Sequence, residues 1–168
     1  MKRVSVSVLL AVVTLLGITV PSAGAADGEQ HCYVRVIERK ASGELVTTEP
    51  KCYATQEEAT RSAMSGSGTR PMRGFTTQSS FVLATHFDGP NGGGSSTQVW
   101  GSDCLGGWLN TSAYWAAEME STQGGCTRVR HYSGQNLTGT SQDVTTTGWA
   151  TNLNGTLTHH AWSVQYTT

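Results

Sequence analysis

The stretch HFDGPNGGGSS, residues His86 to Ser96, returns in altered form 45 positions later as HYSGQNLTGTS, residues His131 to Ser141. The two copies share a histidine, a following aromatic residue, an asparagine, two glycines and a serine at matching positions. A sequence motif repeated at a fixed offset indicates two copies of one supersecondary unit. Each copy begins where a short β-type run ends, so the repeat predicts a folding device used twice and not a pair of catalytic groups.

An aromatic residue and a glycine frame each copy, Phe87 with Gly94 in the first and Tyr132 with Gly139 in the second. A glycine at this point suits the positive φ that a hairpin needs where it folds over on itself. The aromatic ring then covers the folded hairpin as a flat apolar lid. The spacing therefore predicts two folded β-hairpins.

Short β-type runs surround both copies and are separated by clusters of Gly, Asn and Asp. They span residues 81–87, 97–100, 127–132, 142–146 and 161–166. Strands this short at this spacing are typical of an all-β sandwich or barrel, and no alternation of strands with helices is visible. We therefore predict an all-β fold for this part of the chain.

The spacing of an aromatic, four residues, a second position, one residue and a glycine resembles the βγ-crystallin Greek-key motif. The second position, an aromatic in the family pattern, is Gly92 in the first copy and Leu137 in the second. The resemblance covers roughly residues 81–168. It implies a βγ-crystallin-like double Greek-key sandwich, with two motifs that build one domain of two four-stranded sheets.

Crystallin-type domains often carry a calcium-binding sequence of two Asn/Asp residues, two free positions, Ser or Thr, and Ser. The corresponding stretch of the first copy has alanines in place of the Asn/Asp pair, and that of the second, residues 154–159, keeps only Asn154 and Thr158. Calcium takes about six to eight oxygen ligands, which these remnants do not supply. We therefore expect no cofactor. Glu118 and Glu120 are the carboxylates that could rebuild a calcium site.

The N-terminus has the organisation of a secretory signal peptide, with Lys2 and Arg3, an apolar run from about Val8 to Val20, and small residues before the expected cleavage point. The run is short for a membrane span of ~20 residues, so we expect a secreted, extracellular protein that does not associate with a membrane. Without Lys2 and Arg3, the mature chain has nine basic and twelve acidic residues. Nucleic acid is therefore not an expected partner.

The part of the chain before the repeat differs from the rest. An alternating run that begins at Cys32, a glycine turn and a return strand predict a hairpin. Thr55 and Glu58 have capping-box spacing, which predicts a short helix. The stretch SGSGTRPMRG that follows has linker composition. The predicted organisation is a signal peptide over residues 1–25, a hairpin-helix segment over 26–64, a linker over 65–80 and the crystallin-like domain over 81–168.

All four cysteines lie in the exported part of the chain. An even number of cysteines in an oxidising compartment indicates two disulfides, and three pairings are conceivable. Cys32–Cys52 and Cys104–Cys126 are preferred, because each pair brackets its own segment. A zinc site would require cysteines at CxxC-like spacing, which this sequence lacks, so disulfides are preferred over zinc ligation.

Histidines are the first candidates for a metal site. His86 and His131 occupy equivalent positions of the repeat, but strand-end residues that pack beside their aromatic neighbours explain this pattern better. His159 and His160 would point to opposite faces of a strand and so could not share one ion. We therefore predict no histidine metal site.

No motif of an established enzyme class is present: the chain has no GxSxG elbow, no HExxH helix and no phosphate-binding glycine loop. Glu118 and Glu120, two residues apart, are more typical of a solvated strand edge than of a glycosidase dyad. The protein is therefore not expected to be an enzyme. Tryptophans exposed together would suggest a carbohydrate or peptide platform, whereas core and lid roles are preferred for Trp100, Trp108, Trp115, Trp149 and Trp162.

The signal peptide, the cysteine-containing segment and the crystallin-like half together resemble small secreted actinobacterial proteins grouped with crystallin-like peptidase inhibitors. The best-known type blocks thermolysin-like metalloproteinases, so the resemblance implies an extracellular peptidase as partner. An inhibitor needs a loop that is exposed yet stiff, because little ordering entropy then opposes docking. The segment closed by Cys104 and Cys126 meets this description. The candidate residues of this inhibitory loop are Leu105, Trp108, Leu109 and Asn110.

Other interpretations remain open. The linker could supply the inhibitory loop, or its Arg70 and Arg73 could mark a processing point. The fold would also suit a crystallin-type structural or calcium-tuned stress protein. Some killer toxins resemble single crystallin domains, so a small secreted antimicrobial toxin is a further alternative.

Overall fold

The computed structural model describes residues 28–66, 80–111, 119–145 and 148–168. The predicted signal peptide and nearly all of the predicted linker lie outside these ranges. Within them the chain forms a helix, α1 (Gln56–Ser65), a 3-10 turn at Pro90–Gly92, and eleven strands. The strands are β1 (His31–Arg39), β2 (Leu45–Thr47), β3 (Lys51–Tyr53), β4 (Phe81–Phe87), β5 (Ser96–Gly101), β6 (Leu105–Asn110), β7 (Ser121–Gly124), β8 (Arg128–Tyr132), β9 (Ser141–Val144), β10 (Thr151–Asn152) and β11 (Ser163–Thr167).

The strands form two sheets that contain the same arrangement twice. Strands β4 to β7 make the first motif and β8 to β11 the second. One sheet has the order β10-β7-β4-β5, extended by β1 and β2, with β3 also paired to β1, and the other has the order β6-β11-β8-β9. In both, the fourth strand of a motif lies beside its first strand, as in a Greek key, and the third strand belongs to the opposite sheet. The all-β, βγ-crystallin-like double Greek-key fold is thereby confirmed.

The folded hairpins follow β4 and β8, as the repeat predicts. Gly94 and Gly139 have φ of 75° and 83°. A Cβ at Gly94 would collide with the Asp88 carboxylate, and one at Gly139 with the Ser133 hydroxyl. The ring of Phe87 lies against the folded hairpin near Gly92. Positive φ and close approach are both available to glycine at little steric cost, which explains its place in both copies.

The N-terminal strands belong to the same sheet as the first motif. β1 pairs in parallel with β5 over five residue pairs, from His31 with Ser96 to Arg35 with Trp100. α1 begins at the predicted cap, because Thr55 Oγ1 accepts a hydrogen bond from the Glu58 N–H at 3.2 Å. The segment is therefore the hairpin-helix unit that the sequence predicts, joined to the sandwich by continuous sheet pairing.

The main core lies between the two sheets and draws on both motifs and on β1. Its largest fully buried apolar side chains are Tyr166, Leu83, Met119 and Leu157. A second cluster under α1 contains Tyr33, Ala59, Ala63 and Trp100. Burial of each large apolar side chain contributes about 1.5–3 kcal/mol, so α1 is held by packing and not by helix propensity alone.

Two disulfides, both in the preferred pairing, connect these parts. Cys32–Cys52 joins β1 to β3 at directly opposed positions, and Cys104–Cys126 joins the turn after β5 to the turn after β7. Such bonds are typical of proteins from oxidising compartments. Within the described ranges, no helix has the length and apolar character needed to cross a membrane.

Candidate functional site

The predicted inhibitory loop is a strand over residues 105–110. It forms β6, an edge strand antiparallel to β11. Gly107 serves close packing, since a Cβ there would lie 2.7 Å from side-chain atoms of Arg39 and Leu45, whereas Gly106 has φ of 83°. The prediction of a loop over these residues is therefore wrong. The strand depends on pairing with β11 and on contacts with Arg39 and Leu45, all of which are distant in sequence and not visible in the local pattern.

The four candidate residues have different environments within β6. Leu109 is 4% exposed and belongs to the core. Trp108 is half-buried, and its Nε1–H donates to the Ser42 carbonyl at 3.2 Å. Asn110 is hydrogen-bonded to Asn136 of the second hairpin. Leu105, at the start of the strand, is 71% exposed, so it is the one candidate whose apolar side chain is largely open to solvent.

Leu105 projects from a backbone that is held from several sides. Its N–H donates to Asp103 Oδ1 at 2.9 Å, and the same oxygen accepts a hydrogen bond from Arg39 Nη2 at 2.8 Å. Its neighbour Cys104 is bonded to Cys126, which is buried. An exposed apolar side chain on a fixed backbone loses little conformational entropy when a partner covers it.

Each folded hairpin is fastened by a serine from the fourth strand of its own motif. Ser121 Oγ donates to the Gly89 carbonyl at 2.6 Å and accepts from the Gly92 N–H at 3.0 Å. Ser163 makes the matching pair of bonds to the Gly134 carbonyl and the Leu137 N–H, at 2.6 and 3.0 Å. The two serines are therefore equivalent.

Each hairpin is also held by an asparagine from the third strand of the other motif. Asn91 and Asn152 bond reciprocally, with the Asn91 N–H donating to Asn152 Oδ1 at 2.7 Å and Asn152 Nδ2 donating to Asn91 Oδ1 at 3.0 Å. Asn136 and Asn110 repeat this geometry at 2.8 and 3.0 Å. Sequence reasoning missed this function of Asn110, although Asn110 and Asn152 recur at the same separation as the two hairpin serines.

Because Ser121 and Ser163 are equivalent, the calcium-type stretch of the second motif must be aligned on Ser163. The stretch that ends on the hairpin serine runs over residues 158–163 in the second motif, not over residues 154–159. Asn154 therefore lies outside the position that the family pattern assigns to Asn or Asp. The shift arises because the two copies are 45 residues apart at the hairpin and 42 at the serine.

The calcium candidates are occupied by other contacts where the structure describes them. Glu120 Oε1 lies 2.8 Å from His159 Nε2. Asn154 Oδ1 accepts from the Thr156 N–H, and Thr158 Oγ1 donates to the Leu153 and Asn154 carbonyls. Glu118 lies outside the described residues. Among those described, no group of three or more His, Cys, Asp or Glu side chains is placed to hold a metal ion.

The two adjacent histidines are not on a strand. Residues 155–159 form consecutive turns, and His159 has φ of 60°. The strand prediction for His159 and His160 is wrong, because tertiary contacts of His159 with Glu120 and with the Met119 carbonyl hold the chain in a turn.

The repeated histidines meet in the centre of the sandwich. Thr122 Oγ1 lies 3.0 Å from His86 Nδ1 and 2.9 Å from His131 Nε2, and His86 Nε2 lies 3.2 Å from the Tyr166 hydroxyl. Thr122 has a single hydroxyl proton, so at least one imidazole must donate an N–H to it. The rings meet edge to face at 5.6 Å between centroids. Each histidine is the second-to-last residue of its strand and lies beside its aromatic neighbour, as the repeat predicts, and both are also buried hydrogen-bonding residues.

Burial keeps this network uncharged. It lowers the pKa of His131 from 6.5 to about 4, and the nearby Asp143 carboxylate offsets this effect only in part. Burial and the neighbouring His131 hold the pKa of His86 well below its usual value, and burial raises the pKa of Tyr166. Groups that stay neutral and fully enclosed are poor candidates for exchanging protons with a substrate, so this network is structural.

The described tryptophans differ widely in exposure. Trp100 is buried under α1, whereas Trp162 is partly exposed and Trp149 is 82% exposed. Trp115 lies outside the described residues. The core role that the sequence predicts therefore applies to Trp100 and not to Trp149.

No protein-family model and no curated protein sequence matches the chain significantly. Among solved structures, a mutant of a βγ-crystallin domain from Clostridium beijerinckii is similar to 51% of this chain. The match covers 99% of that domain, with 23% sequence identity and a TM-score of 0.40. The assignment of the chain to a βγ-crystallin-like double Greek-key fold rests on its own strand order and on the two equivalent, serine-fastened hairpins.

Proposed function

We propose that this protein is a secreted, non-catalytic inhibitor of an extracellular peptidase, with a metalloproteinase as the expected target. The observation that carries the proposal is Leu105, a 71% exposed leucine on a backbone held by Asp103 and by the adjacent disulfide. An extended, stiff chain with a projecting apolar residue suits a peptidase cleft, which binds extended chains and accepts side chains in pockets.

The expected contribution of Leu105 follows from its exposure. Burying a leucine side chain contributes about 1.5–3 kcal/mol, or roughly 10- to 140-fold in affinity. The fixed backbone keeps the opposing entropy small, because only the side-chain torsions remain to be ordered. Leu105 is therefore expected to be the dominant contact of β6 with the target.

The Cys104–Cys126 bond supports the same role. A peptidase that cut one peptide bond between these cysteines would leave both new ends attached to the domain through the disulfide. The loop closure limits how far the ends can separate, so they remain close enough to stay bound or to be rejoined. An inhibitor benefits from this property, whereas a simple substrate does not need it.

The absence of catalysis is part of the proposal. In the described part of the chain, the two histidines with lowered pKa values face the interior of the sandwich. The Glu120 carboxylate is paired with His159. These contacts support a role that depends on surface shape and not on a reactive group.

The test is a titration of the purified, disulfide-bonded protein against thermolysin-like and serine peptidases. We expect inhibition of at least one thermolysin-like enzyme, and Leu105→Asp should weaken it at least ~10-fold. Met64→Asp is the matched control, since Met64 is 61% exposed but lies on α1. Failure to inhibit any peptidase at micromolar concentration would refute the proposal. Equal inhibition by Leu105→Asp and wild type would refute the role of Leu105.

A further inference from the structure

The described chain contains two Asn-Gly dipeptides, Asn91-Gly92 and Asn154-Gly155. In such a dipeptide no side chain hinders the glycine backbone nitrogen, which can approach the side-chain carbon of the asparagine. Both asparagines are exposed, so sequence and exposure do not distinguish them. Their hydrogen bonds do.

At Asn91-Gly92 both reacting groups are held in place. The Gly92 N–H donates to Ser121 Oγ at 3.0 Å, so the nucleophilic nitrogen is occupied. The Asn91 side chain accepts from Asn152 Nδ2, and its own N–H donates to Asn152 Oδ1. Attack of Gly92 on the Asn91 side chain would require these bonds to break together.

At Asn154-Gly155 the difference lies in the nucleophilic nitrogen. The Gly155 N–H has no hydrogen-bond partner among the described residues, and no atom lies within 4 Å of the position a Cβ would take. Asn154 Oδ1 accepts from the Thr156 N–H at 3.2 Å, which draws the side-chain carbonyl toward the chain that follows it.

We propose that Asn154 is a site of spontaneous deamidation in the folded protein and that Asn91 is protected. The Gly155 nitrogen loses its proton and forms a bond to Asn154 Cγ, while the bond from Cγ to Nδ2 breaks and ammonia leaves. Water then opens the resulting succinimide at either carbonyl, which yields aspartate or isoaspartate at position 154. The reaction needs only water and no oxidant or enzyme.

The product would alter a turn that anchors core residues. The Asn154 carbonyl accepts from the N–H groups of Leu157 and Thr158, both at 2.9 Å, and the Asn154 N–H donates to Gln142 Oε1 at 2.7 Å. Leu157 is fully buried next to this turn. Isoaspartate lengthens the backbone by a methylene group and displaces these atoms, so the modified protein loses turn hydrogen bonds and gains a negative charge.

The experiment incubates the full secreted chain at mildly alkaline pH and follows both dipeptides by peptide mapping with mass spectrometry. Aspartate and isoaspartate should accumulate at position 154, and conversion at Asn91 should be slower by about 2- to 13-fold, since the hydrogen bond of the Gly92 N–H to Ser121 opposes it and the Gly155 N–H has no such bond. In denaturant the two sites should convert at similar rates, because both dipeptides are then equally free.

Gly155→Ala is the decisive variant. Its Cβ has open space and the position has no left-handed φ, so the fold should be retained while the side chain slows the attack. Loss of the modification in Gly155→Ala, with unchanged thermal stability, would support the proposal. Conversion of Asn91 at least as fast as Asn154 in the folded protein would overturn it, as would an unmodified Asn154 in wild type.

Discussion

Acidification below about pH 6.5 is expected to destabilise this protein, because burial disfavours the protonated form of a histidine in the folded state. His131 has its pKa lowered from 6.5 to about 4 by burial in the folded state. Above about pH 6.5 the residue is neutral in both states and contributes no pH dependence. As the pH falls from 6.5 toward 4, the unfolded chain binds a proton that the folded protein excludes, so stability falls over this window.

The magnitude follows from the two pKa values. At pH 5 the loss from His131 alone is about 2 kcal/mol, and it approaches about 3 kcal/mol once the pH is below 4. His86 contributes with the same sign, since burial also lowers its pKa. The pKa of Asp143 is lowered by its hydrogen bond to Arg130, so the stability due to this carboxylate is lost only at lower pH. For a domain stable by roughly 5–15 kcal/mol, the histidine effect is large.

The assay is urea unfolding between pH 7 and 5 with both disulfides intact, followed by tryptophan fluorescence. His131→Gln should lower the free energy of unfolding at pH 7. It should also reduce by about one the number of protons taken up on unfolding, which is measured by the dependence of the unfolding free energy on pH. His160→Gln is the matched control for the substitution itself, because His160 is exposed and lies outside the buried network. A wild-type unfolding free energy that is constant over this range would refute the reasoning. So would a slope that His131→Gln leaves intact.

Two further outcomes follow from the contacts around the hairpins. Asn110→Ala should destabilise the domain by about 1–3 kcal/mol, since it removes two hydrogen bonds to Asn136. Chemical denaturation, compared with Gln135→Ala at an exposed position of the same hairpin, measures the difference, and equal effects of the two variants would contradict the assigned role of Asn110. Calcium in excess, compared with chelator, should leave the melting temperature unchanged, because the Glu120 carboxylate is engaged by His159. A calcium-dependent rise in melting temperature would instead favour the calcium-tuned stress protein.

Much of the fold was accessible from local chemistry. The two hairpins were predictable because positive φ at Gly94 and Gly139 is a property of the turn itself. The helix after Thr55 was predictable because a cap acts within one turn. By contrast, β6, β7 and β10 were not predicted, since these short runs contain few β-branched residues and are defined by the strands beside them.

The candidate site was less accessible than the fold. The sequence pointed to the segment after Cys104 but could not separate exposed Leu105 from buried Leu109, because that difference depends on which face of β6 meets the core. The sequence analysis also placed Asn110 in a loop. Its hydrogen-bond partner Asn136 belongs to the other motif and is 26 residues away, so the local pattern did not reveal the contact.

Local chemistry therefore specifies two glycine hairpins, one capped helix and cysteines spaced for two disulfides. Long-range contacts place the third strand of each motif in the opposite sheet, pair β1 with β5 in parallel, and bring His86 and His131 to one buried threonine. The two sets differ in the sequence separation of the residues that interact. Turn and cap energies depend on a few adjacent residues, whereas strand partners and burial are chosen by contacts between segments distant in sequence, where many alternatives share the same local pattern.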